Sequence, residues 1–339
     1  MEPIAVVSWV LGVDSGGSGL RFALAVTAAS APDSGTGAVP EAAAVTATAE
    51  PVRTGPSGIE ARHLLDQLLP AVDTLLARVG ADTGLSAVAI GAAGMATLGD
   101  ELRAELPAAL ERALGVRKLA LAADAVTAYA GALGQRPGAV VAGGTGMIAL
   151  GTDLTDWRRA DGWGHLLGDC GGGAWIGRAG LEAAMRAHDG RRGGSAFLLS
   201  ALEATFGPAG DLPGLLYPRT DRPALLASFA PEVAARAADD PVAAGILAAA
   251  ARQIAEAAAA VCPPDGDCEV AFTGGLFKLG EPLLGPLRAE LAGQLPHATT
   301  VPAAGDPLSG ALVIAAALAA GTLTLPSHPR LLRVLTEHP

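Results

Sequence analysis

The order of predicted elements repeats along this chain, and the repeat constrains its fold more than any other feature of the sequence. Each half opens with an apolar strand, a glycine-rich turn and a second apolar strand. A third strand follows, and helices then alternate with strands. Two copies of the order βββαβαβα indicate two similar α/β domains. A chain of 339 residues suits this division, because single cores stop growing near roughly 250 to 300 residues.

The predicted elements follow from apolar periodicity bounded by glycine and proline. In the first half, strands are predicted at 6–13, 21–27, 43–50, 87–91 and 119–123, and helices at 59–79, 101–114 and 125–133. In the second half, strands are predicted at 139–142, 147–150, 157–162, 269–273 and 299–302, and helices at 282–295 and 307–320. A helical insertion at about 174–261 interrupts the second copy. We expect an N-terminal domain over 1–137, a C-terminal domain over 138–326, and a terminal helix in 327–339 that returns to the first domain.

Charge and composition argue against several kinds of partner. Acidic residues outnumber basic residues 34 to 23, and only two of the basic residues are lysines, so no basic stripe is available to follow a nucleic-acid backbone. We therefore expect no nucleic acid as a partner. A net charge of -11 would also repel a free polyphosphate. A nucleotide would have to be held by backbone amides, helix ends and a metal.

The cysteines and the apolar segments bear on location. Three cysteines (Cys170, Cys262, Cys268) and the lack of a basic region before the first apolar run predict a reducing, cytoplasmic location. The apolar segment 311–321 is shorter than the about 20 residues that a membrane span requires, and we expect it to form a buried helix. We expect no membrane partner, and a monomer or a homodimer. Cys262 and Cys268 have no C-x-x-C spacing and no nearby histidine, which argues against a zinc site.

The first glycine turn contains a candidate metal ligand. Asp14 lies at the end of the first strand, next to Gly16, Gly17 and Ser18. A tight glycine hairpin directs backbone N–H groups into one concavity, which suits a phosphate, and Asp14 could hold Mg²⁺ through water. The alternative is an ordinary hairpin in which Asp14 and Ser15 cap the turn.

A second glycine turn occupies the same place in the second half. Its residues are Gly143, Gly144, Thr145 and Gly146. Two such turns in repeated units are typical of a pair of clamps on the β- and γ-phosphates of a nucleotide. The chain has no G-x-x-x-x-G-K-[ST] motif, no dinucleotide fingerprint and no protein-kinase signature, so these other nucleotide sites are excluded.

Two further aspartates are candidate functional residues. Asp124 follows a predicted strand and opens a helix, which places it at the ligand-binding edge of an α/β sheet; helix N-capping is the alternative. Asp169 and Cys170 lie between Gly168 and Gly171, where a ligand can approach the backbone closely. The apolar flanks of this segment argue against a flexible linker. His165 is a candidate ligand contact in the same segment, with loop packing as the alternative.

Five motifs in this order resemble one family. They are DSGGSGLR, DAVTAYAG, GGTGM, DGWGHLLGDCGGGAWIGR and FTGGLF. Together they resemble the N-acetylglucosamine kinase and BadF/BadG-type ATPase family of the actin, hexokinase and Hsp70 superfamily, with the bacterial glucosamine kinases as the branch most similar. The resemblance implies two actin-like (ribonuclease H-like) domains with a nucleotide and sugar cleft between them.

The resemblance also implies roles for individual residues. Asp124 matches the catalytic base of the family, and Gly162 and Asp169 match its sugar-binding positions. The nucleotide positions implied are Asp14, Gly16, Gly17 and Ser18 for the first phosphate motif, Thr145 and Gly146 with neighbouring Gly144 for the second, and Gly274 and Gly275 for adenosine. The implied cofactors are ATP and Mg²⁺.

Departures from the family pattern concern the sugar. The family's D-E-G-S is here Asp169-Cys170-Gly171-Gly172, the Ser that usually follows G-T-G is Met147, and an expected Asn is Gly58. A bare ammonium requires a carboxylate or several acceptors, whereas an acetamide requires an apolar slot with amide partners. The expected reaction is therefore phosphorylation of D-glucosamine to D-glucosamine 6-phosphate.

Three alternatives stay open. N-acetylglucosamine could be the substrate of the same fold. The chain could be an ATPase activator protein, although such activators hold an iron–sulfur cluster with cysteines near the second phosphate loop, and 142–150 contains none. It could also be a sugar sensor without catalysis, which the presence of Asp124 opposes.

Overall fold

The computed structural model describes residues 8–17, 19–27, 40–55, 58–81, 84–264 and 268–336. The chain divides into two compact units. The first unit comprises Met1–Gly138, Thr152–Trp157 and Pro302–Pro339, and the second comprises Ala139–Gly151 and Arg158–Val301.

Strands and helices alternate in the order that the sequence predicts. The strands are β1 (Ser8–Gly16), β2 (Gly19–Thr27), β3 (Ala42–Thr48), β4 (Thr54–Gly55), β5 (Gly58–Ile59), β6 (Leu85–Ala92), β7 (Lys118–Ala123), β8 (Gly138–Gly143), β9 (Met147–Thr152), β10 (Trp157–Asp161), β11 (Cys268–Thr273), β12 (Ala298–Pro302) and β13 (Leu332–Thr336). The helices are α1 (Ala61–Val79), α2 (Met95–Leu98), α3 (Asp100–Leu114), α4 (Asp124–Leu133), α5 (Gly173–His188), α6 (Ala196–Phe206), α7 (Leu212–Leu216), α8 (Arg222–Ala227), α9 (Ala230–Arg236), α10 (Pro241–Val261), α11 (Glu281–Gln294) and α12 (Pro307–Ala320). Short 3₁₀ turns lie at Ala209–Asp211 and Gly275–Leu279.

The two large sheets share an order of five strands, and β13 adds a sixth strand at the edge of the first sheet. The first runs β13-β7-β6-β1-β2-β3 and the second β10-β9-β8-β11-β12. In both, the first three strands of the unit are neighbours in reverse order, and the two later strands lie beyond the first. The predicted fold class, two actin-like α/β domains of the βββαβαβα kind, is confirmed. The strands β4 and β5 form a separate two-stranded sheet between β3 and α1.

Close backbone packing joins α12 to the first sheet and to α4. A Cβ on Gly12 of β1 would lie 2.9 Å from the backbone nitrogen of Leu312, so only glycine lets α12 rest directly on the strand. A Cβ on Gly131 of α4 or on Gly310 of α12 would collide with backbone of the opposite helix. As predicted for 311–321, α12 is a buried helix.

The helical insertion forms much of the core of the second unit. Among the described residues, α10 is the one helix long and apolar enough to cross a membrane by length and composition, with a mean hydropathy of 1.3. In this helix the side chains of Leu247, Ile254 and Val261 are fully buried in the core of the unit, and those of Val242 and Ile246 are partly buried against it. The buried Asp240 caps α10 and accepts a 2.5 Å hydrogen bond from the hydroxyl of Ser195, which caps α6.

Two predictions about the C-terminal part of the chain are wrong. The terminal segment, predicted as a helix, forms strand β13, which pairs antiparallel with β7 at Leu332↔Ala122; residues 337–339 lie outside the described part. The return to the first unit also begins earlier than predicted, because Pro302–Pro339 with α12 belongs to it. Cys262 and Cys268 are joined by a disulfide between the end of α10 and the start of β11, a bond that the sequence does not predict.

Candidate functional site

The hairpin of β1 and β2 places Asp14 opposite Arg21. The two strands pair antiparallel from Ser8↔Thr27 to Gly16↔Gly19, so the turn contains only two residues. One of them is Gly17, which is exposed. The other is Ser18, predicted as a phosphate ligand, which lies outside the described residues. This short turn sets the register that makes Asp14 and Arg21 cross-strand partners.

Arg21 connects two carboxylates of the first unit. Its guanidinium donates to Oδ2 of Asp14 from Nη2 at 2.6 Å and from Nε at 3.1 Å. It also donates from Nη1 to Oδ2 of Asp306 at 2.5 Å. Burial lowers the pKa of Arg21, but its hydrogen bonds to both carboxylates raise it by more, so the net shift is upward. One cation therefore serves two anions at this site.

Asp306 also caps helix α12. Its Oδ1 accepts the backbone N–H of Ser309 at 2.9 Å, in the geometry of a helix N-cap. Burial raises the pKa of the Asp306 carboxyl, but the N–H of Ser309 and the guanidinium of Arg21 lower it by more, so the pKa lies below its ordinary value. The carboxylate thus stays charged and ties the start of α12 to the hairpin.

A cavity of about 390 Å³ opens beside the hairpin. Asp14, Gly16, Arg21 and Thr48 are among its lining residues. Asp14 shares Arg21 with Asp306, and no group of three or more His, Cys, Asp or Glu side chains suited to a metal occurs among the described residues. Mg²⁺ is commonly held by one or two carboxylates, by water and by substrate phosphates, so Asp14 fits a magnesium ion that arrives with a nucleotide.

Asp124 is the exposed residue of an otherwise buried helix. It is the first residue of α4, and the other nine residues of this helix are buried. The N-cap position is Ala123, and Oδ1 of Asp124 accepts the N–H of the adjacent Ala125 at 2.9 Å. An N-cap side chain would instead reach the second or third N–H of the helix. The geometry thus differs from the helix cap that was the alternative for Asp124.

Asp14 and Asp124 lie at the same edge of the first sheet. Strands β1, β6 and β7 are parallel, and Asp14, Gly91 and Ala122 form one row across them. Asp124 follows this row by two residues. Two strand spacings separate β1 from β7, which corresponds to about 10 Å. Both residues therefore lie at the edge of the sheet where α/β folds commonly bind ligands.

In the second unit, the turn between β8 and β9 rests on the start of α5. The carbonyl oxygens of Gly144 and Thr145 accept the N–H groups of Gly173 and Ala174 at 2.9 and 2.8 Å. The N–H of Gly144 donates to the carbonyl of Gly146 within the turn. Gly144 and Thr145 are exposed. The helix end thus fixes the backbone of an exposed turn, as a preformed phosphate-binding loop requires.

Glycines make these contacts possible. A Cβ on Gly173 would lie 2.7 Å from the carbonyl oxygen of Gly144, and a Cβ on Gly172 would lie 2.8 Å from the backbone of Gly146. Gly274 has a φ of +102°, and a Cβ there would collide with the carbonyl of Gly143. The structure thus packs the second predicted phosphate motif against the predicted adenosine motif, in which Gly274 and Gly275 are exposed.

The loop between β10 and α5 is closed by a carboxylate. The side chain of Asp161 accepts the backbone N–H of Asp169 at 2.5 Å through Oδ1 and that of Cys170 at 2.8 Å through Oδ2. Oδ1 of Asp169 in turn accepts the N–H of Gly164 at 3.0 Å. A Cβ on Gly146 would collide with the carboxylate of Asp169. Asp169 therefore lies directly between this loop and the second glycine turn.

Asp169 is only partly buried, yet its environment alters its titration. Burial raises the pKa of Asp169 above its ordinary value, the N–H of Gly164 opposes this effect, and the charge of Asp161 adds to it. Burial, with the neighbouring Asp161, also raises the pKa of the Cys170 thiol, so this cysteine is not activated as a nucleophile.

The remaining predicted loop residues have different surroundings. His165 and Gly168 are half-buried, and Gly162 packs on Ile148. Gly171, predicted to contact substrate, is instead buried, and its missing Cβ allows close packing on Ala250 of α10. We therefore assign Gly171 to packing.

Four residues of this site were not predicted from the sequence: Arg21, Asp306, Asp161, and Arg159, whose guanidinium donates to the carbonyls of Asp161 and Gly162. The two-residue turn alone predicts Arg21 as the partner of Asp14, because residues equally distant from the turn centre face each other. Asp306 follows a glycine and precedes Pro307, a helix-start signal that indicates the cap but not the ion pair. No sequence pattern indicates the contacts of Asp161.

Comparison with known proteins agrees with this geometry. The sequence pattern of the BadF/BadG/BcrA/BcrD ATPase family matches residues 11–315. This chain belongs to the BadF/BadG/BcrA/BcrD ATPase family. The match includes both glycine turns, Asp124 and the loop of Asp169, so the family resemblance indicated by the five motifs is confirmed.

Several proteins similar to this family member are sugar kinases by name. The N-acetylmuramic acid/N-acetylglucosamine kinase of Clostridium acetobutylicum is 37% identical over 108 residues, which are 31% of this chain and 34% of that protein. The match thus spans about a third of that relative. A candidate N-acetylglucosamine kinase from Chromobacterium violaceum is 27% identical, with 91% of this chain and 98% of that chain covered and a TM-score of 0.65. Another from Porphyromonas gingivalis is 16% identical, with 90% and 97% covered and a TM-score of 0.63, and shows likeness of fold alone.

Proposed function

We propose that this ATPase-family member is an ATP-dependent sugar kinase that phosphorylates an amino sugar, D-glucosamine, at its primary hydroxyl. The observation that carries the proposal is the position of Asp124. It is exposed at the start of a buried helix and lies at the same sheet edge as Asp14. The names of the similar proteins support the reaction class.

Asp124 would act as the general base. Its carboxylate would accept the proton of the sugar hydroxyl, or orient its lone pair, as the hydroxyl attacks the γ-phosphorus of ATP. The bond between the γ-phosphorus and the bridging oxygen of ADP would break, and the phosphoryl group would pass to the sugar oxygen. General-base catalysis of this kind is worth about 10² to 10⁴ in rate. The helix N-terminus behind Asp124 favours the charged carboxylate that this role requires.

Backbone groups would hold the phosphates. The exposed turn of Gly144 and Thr145 is fixed from behind by α5, so it needs little reorganisation when a phosphate binds. Gly16 and Gly17 supply the matching turn in the first unit. Mg²⁺, when bound at Asp14, would neutralise charge on the transferred phosphoryl group. Arg21 keeps the Asp14 carboxylate oriented through Oδ2.

The loop of Asp169 would bind the sugar, and its charge favours a free amine. Asp161 and Asp169 bring two carboxylates into one short segment. The guanidinium of Arg159 donates to two backbone carbonyls of the same segment. A carboxylate neighbour strengthens the binding of an ammonium group by charge attraction, whereas an uncharged acetamide has no such attraction to the carboxylate. N-acetylglucosamine is the alternative substrate that the names of the relatives favour.

A coupled assay of ADP release tests the proposal. Purified protein is given Mg·ATP and, in separate reactions, glucosamine, N-acetylglucosamine, glucose or mannosamine. We expect kcat/KM for glucosamine to exceed that for glucose and N-acetylglucosamine by at least several-fold, since an unpaired buried polar group costs about 1 to 3 kcal/mol. A preference for N-acetylglucosamine would reassign the substrate. ADP release that no sugar stimulates would refute the kinase proposal.

Location and assembly are part of the same proposal. We propose a cytoplasmic enzyme that acts as a monomer or a homodimer, with a small-molecule sugar and ATP as partners. In a reducing cytoplasm the disulfide of Cys262 and Cys268 would be a pair of thiols. Mass spectrometry after alkylation of rapidly quenched cells distinguishes the two forms, and a fully oxidised pair would argue against the cytoplasm.

A further inference from the structure

The loop of residues 162–168 is closed by hydrogen bonds to the Asp161 carboxylate. What we infer from it rests on the proposed sugar kinase function. We propose that Asp161 is a positioning residue for sugar recognition, which fixes the backbone of the loop so that the Asp169 carboxylate meets the substrate in one orientation. Asp161 itself would not contact the sugar. Its two oxygens are used for other bonds, and its effect would pass through Asp169.

The hydrogen bonds of Asp161 join the two ends of the loop. Asp161 ends β10, and its carboxylate accepts N–H groups eight and nine residues later, from Asp169 at 2.5 Å and Cys170 at 2.8 Å. Bonds from N–H groups to an ionised carboxylate are shorter and stronger than those between neutral groups. A bridge of this kind holds residues 162–168 as a closed loop.

The backbone on both sides of the bridge needs such support. Asp161 has a φ of +60° and Asp169 a φ of +56°, both in the left-handed region that few residues other than glycine adopt. Conformations of this kind persist when the surrounding structure holds them. Gly168 permits the arrangement, because a Cβ there would collide with Oδ1 of Asp161 and approach Cβ of Trp163 at 3.0 Å. The left-handed backbone of Asp161 and Asp169, together with the missing side chain at Gly168, thus lets the Asp161 carboxylate reach across the loop.

Arg159 fixes the position of Asp161 from the strand side. Its Nε donates to the carbonyl of Asp161 at 3.1 Å, and its Nη2 donates to the carbonyl of Gly162 at 2.5 Å. Its guanidinium carbon lies 4.3 Å from the ring centre of Trp163, a cation–π contact. The start of the loop is thus held by β10, and Asp161 transmits that position to Asp169.

Asp169 depends on this bridge for its orientation. Its side chain has a short reach, with Oδ1 bound to the N–H of Gly164 and the carboxylate packed on Gly146. If the bridge opens, the N–H of Asp169 loses its acceptor and the backbone can leave its left-handed conformation. The carboxylate would then move relative to the sugar while the glycine turn of β8 and β9, held by α5, would stay in place.

The variant Asp161→Asn tests the inference, because an amide keeps the size but presents one donor where the structure requires two acceptors. We expect the KM for glucosamine, and its Kd by calorimetry without nucleotide, to rise about tenfold or more, since a misplacement of about 1 Å can cost about 10²-fold. The KM for ATP should change less than twofold. An unchanged glucosamine KM would overturn the inference.

Asp153→Asn is a matched control. Oδ1 of Asp153 accepts the N–H groups of Thr155 and Asp156 at 2.9 and 3.1 Å, so this turn carboxylate has the same kind of bonds but belongs to the first unit. We expect no change in the sugar constants of this variant. If the glucosamine KM and Kd rise equally in both variants, or if the ATP KM of Asp161→Asn rises as much as its glucosamine KM, the effect comes from a general loss of structure. Either result would contradict a positioning role.

Titration of Asp169 supplies a readout that needs no substrate. Burial raises the pKa of Asp169 most and the N–H of Gly164 lowers it; among charged groups, Asp161 raises this pKa, and His165 and Arg159 lower it. Removal of the Asp161 charge should therefore lower the pKa of Asp169, measured by carboxyl ¹³C NMR in the sugar-free protein. An unchanged pKa would show that Asp161 does not act on Asp169 and would overturn the inference. Wild-type protein that phosphorylates no sugar would refute the proposed function, whereas this titration would still decide the role of Asp161.

Discussion

The exposed turn of the second unit allows a clean test of phosphate binding with the variant Gly144→Val. A Cβ on Gly144 would meet no other atom within 4 Å, and Gly144 lies outside the positive-φ region. The fold should therefore accept a side chain there. The valine methyl groups would instead occupy the space in front of the turn, where the proposal places a phosphate.

The expected effect follows from the bond that the side chain would prevent. A hydrogen bond to a charged group contributes about 1.5 to 3 kcal/mol, and each 1.4 kcal/mol corresponds to a factor of about ten. Loss of one bond from the turn to a phosphate should raise the KM for ATP about 10- to 100-fold. The KM for the sugar should stay within a few-fold of wild type.

Initial rates at varied ATP and saturating sugar, together with calorimetric titration of nucleotide, measure this effect. Gly245→Val is the control, because Gly245 of α10 is also exposed and a Cβ there meets nothing within 4 Å. Both variants should keep the melting temperature of the wild type within a few degrees. Unchanged nucleotide affinity in a folded Gly144→Val protein would refute the assignment of this turn to a phosphate.

Two further predictions concern stability. Asp306→Asn keeps an oxygen that can cap α12 but loses the charge that pairs with Arg21. Because the folded pKa of Asp306 lies below the reference value of 3.8, its charge stabilises the fold above pH 3.8, and this contribution is lost as the pH falls through the lowered pKa. The difference in urea midpoint between wild type and this variant should thus shrink below about pH 4, and a constant difference would contradict the ion pair. Ser195→Ala removes the cap of α6 and leaves the buried Asp240 without its hydroxyl partner, so urea unfolding should show a loss of about 1 to 3 kcal/mol, and a loss under about 0.5 kcal/mol would show that the bond is unimportant.

Elements with strong local signals could be predicted from the sequence. The hairpin of β1 and β2 is encoded by two apolar runs around a glycine turn, and its register follows from the length of that turn. Strand β13 was not predicted because it has only five residues and its partner strand, β7, is distant in sequence. It forms by adding to the free edge of β7, from Leu332↔Ala122 to Thr336↔Lys118. Tertiary pairing of this kind decides between helix and strand when local preference is weak.

In the candidate site as well, contacts that depend on tertiary structure could not be predicted from local sequence. Asp14 and Asp124 could be proposed as site residues because each follows an apolar run that predicts a strand, and the carboxyl ends of parallel strands meet at one sheet edge. The contacts of Asp161 depend on left-handed backbone at Asp161 and Asp169, which residue type and periodicity do not encode. Gly171 illustrates the reverse error, since a glycine beside a ligand and a glycine beside a packed helix are identical in sequence.

The central claim is that Asp124 is the base of a sugar kinase, and the turnover of Asp124→Asn tests it most directly. Asparagine keeps the side-chain volume and an oxygen for the N–H of Ala125, so the helix start should stay intact. With glucosamine and Mg·ATP both saturating, we expect a fall in kcat of about 10² or more, with both KM values within a few-fold of wild type. A kcat within a few-fold of wild type, in a protein of unchanged melting temperature, would show that Asp124 is not the base.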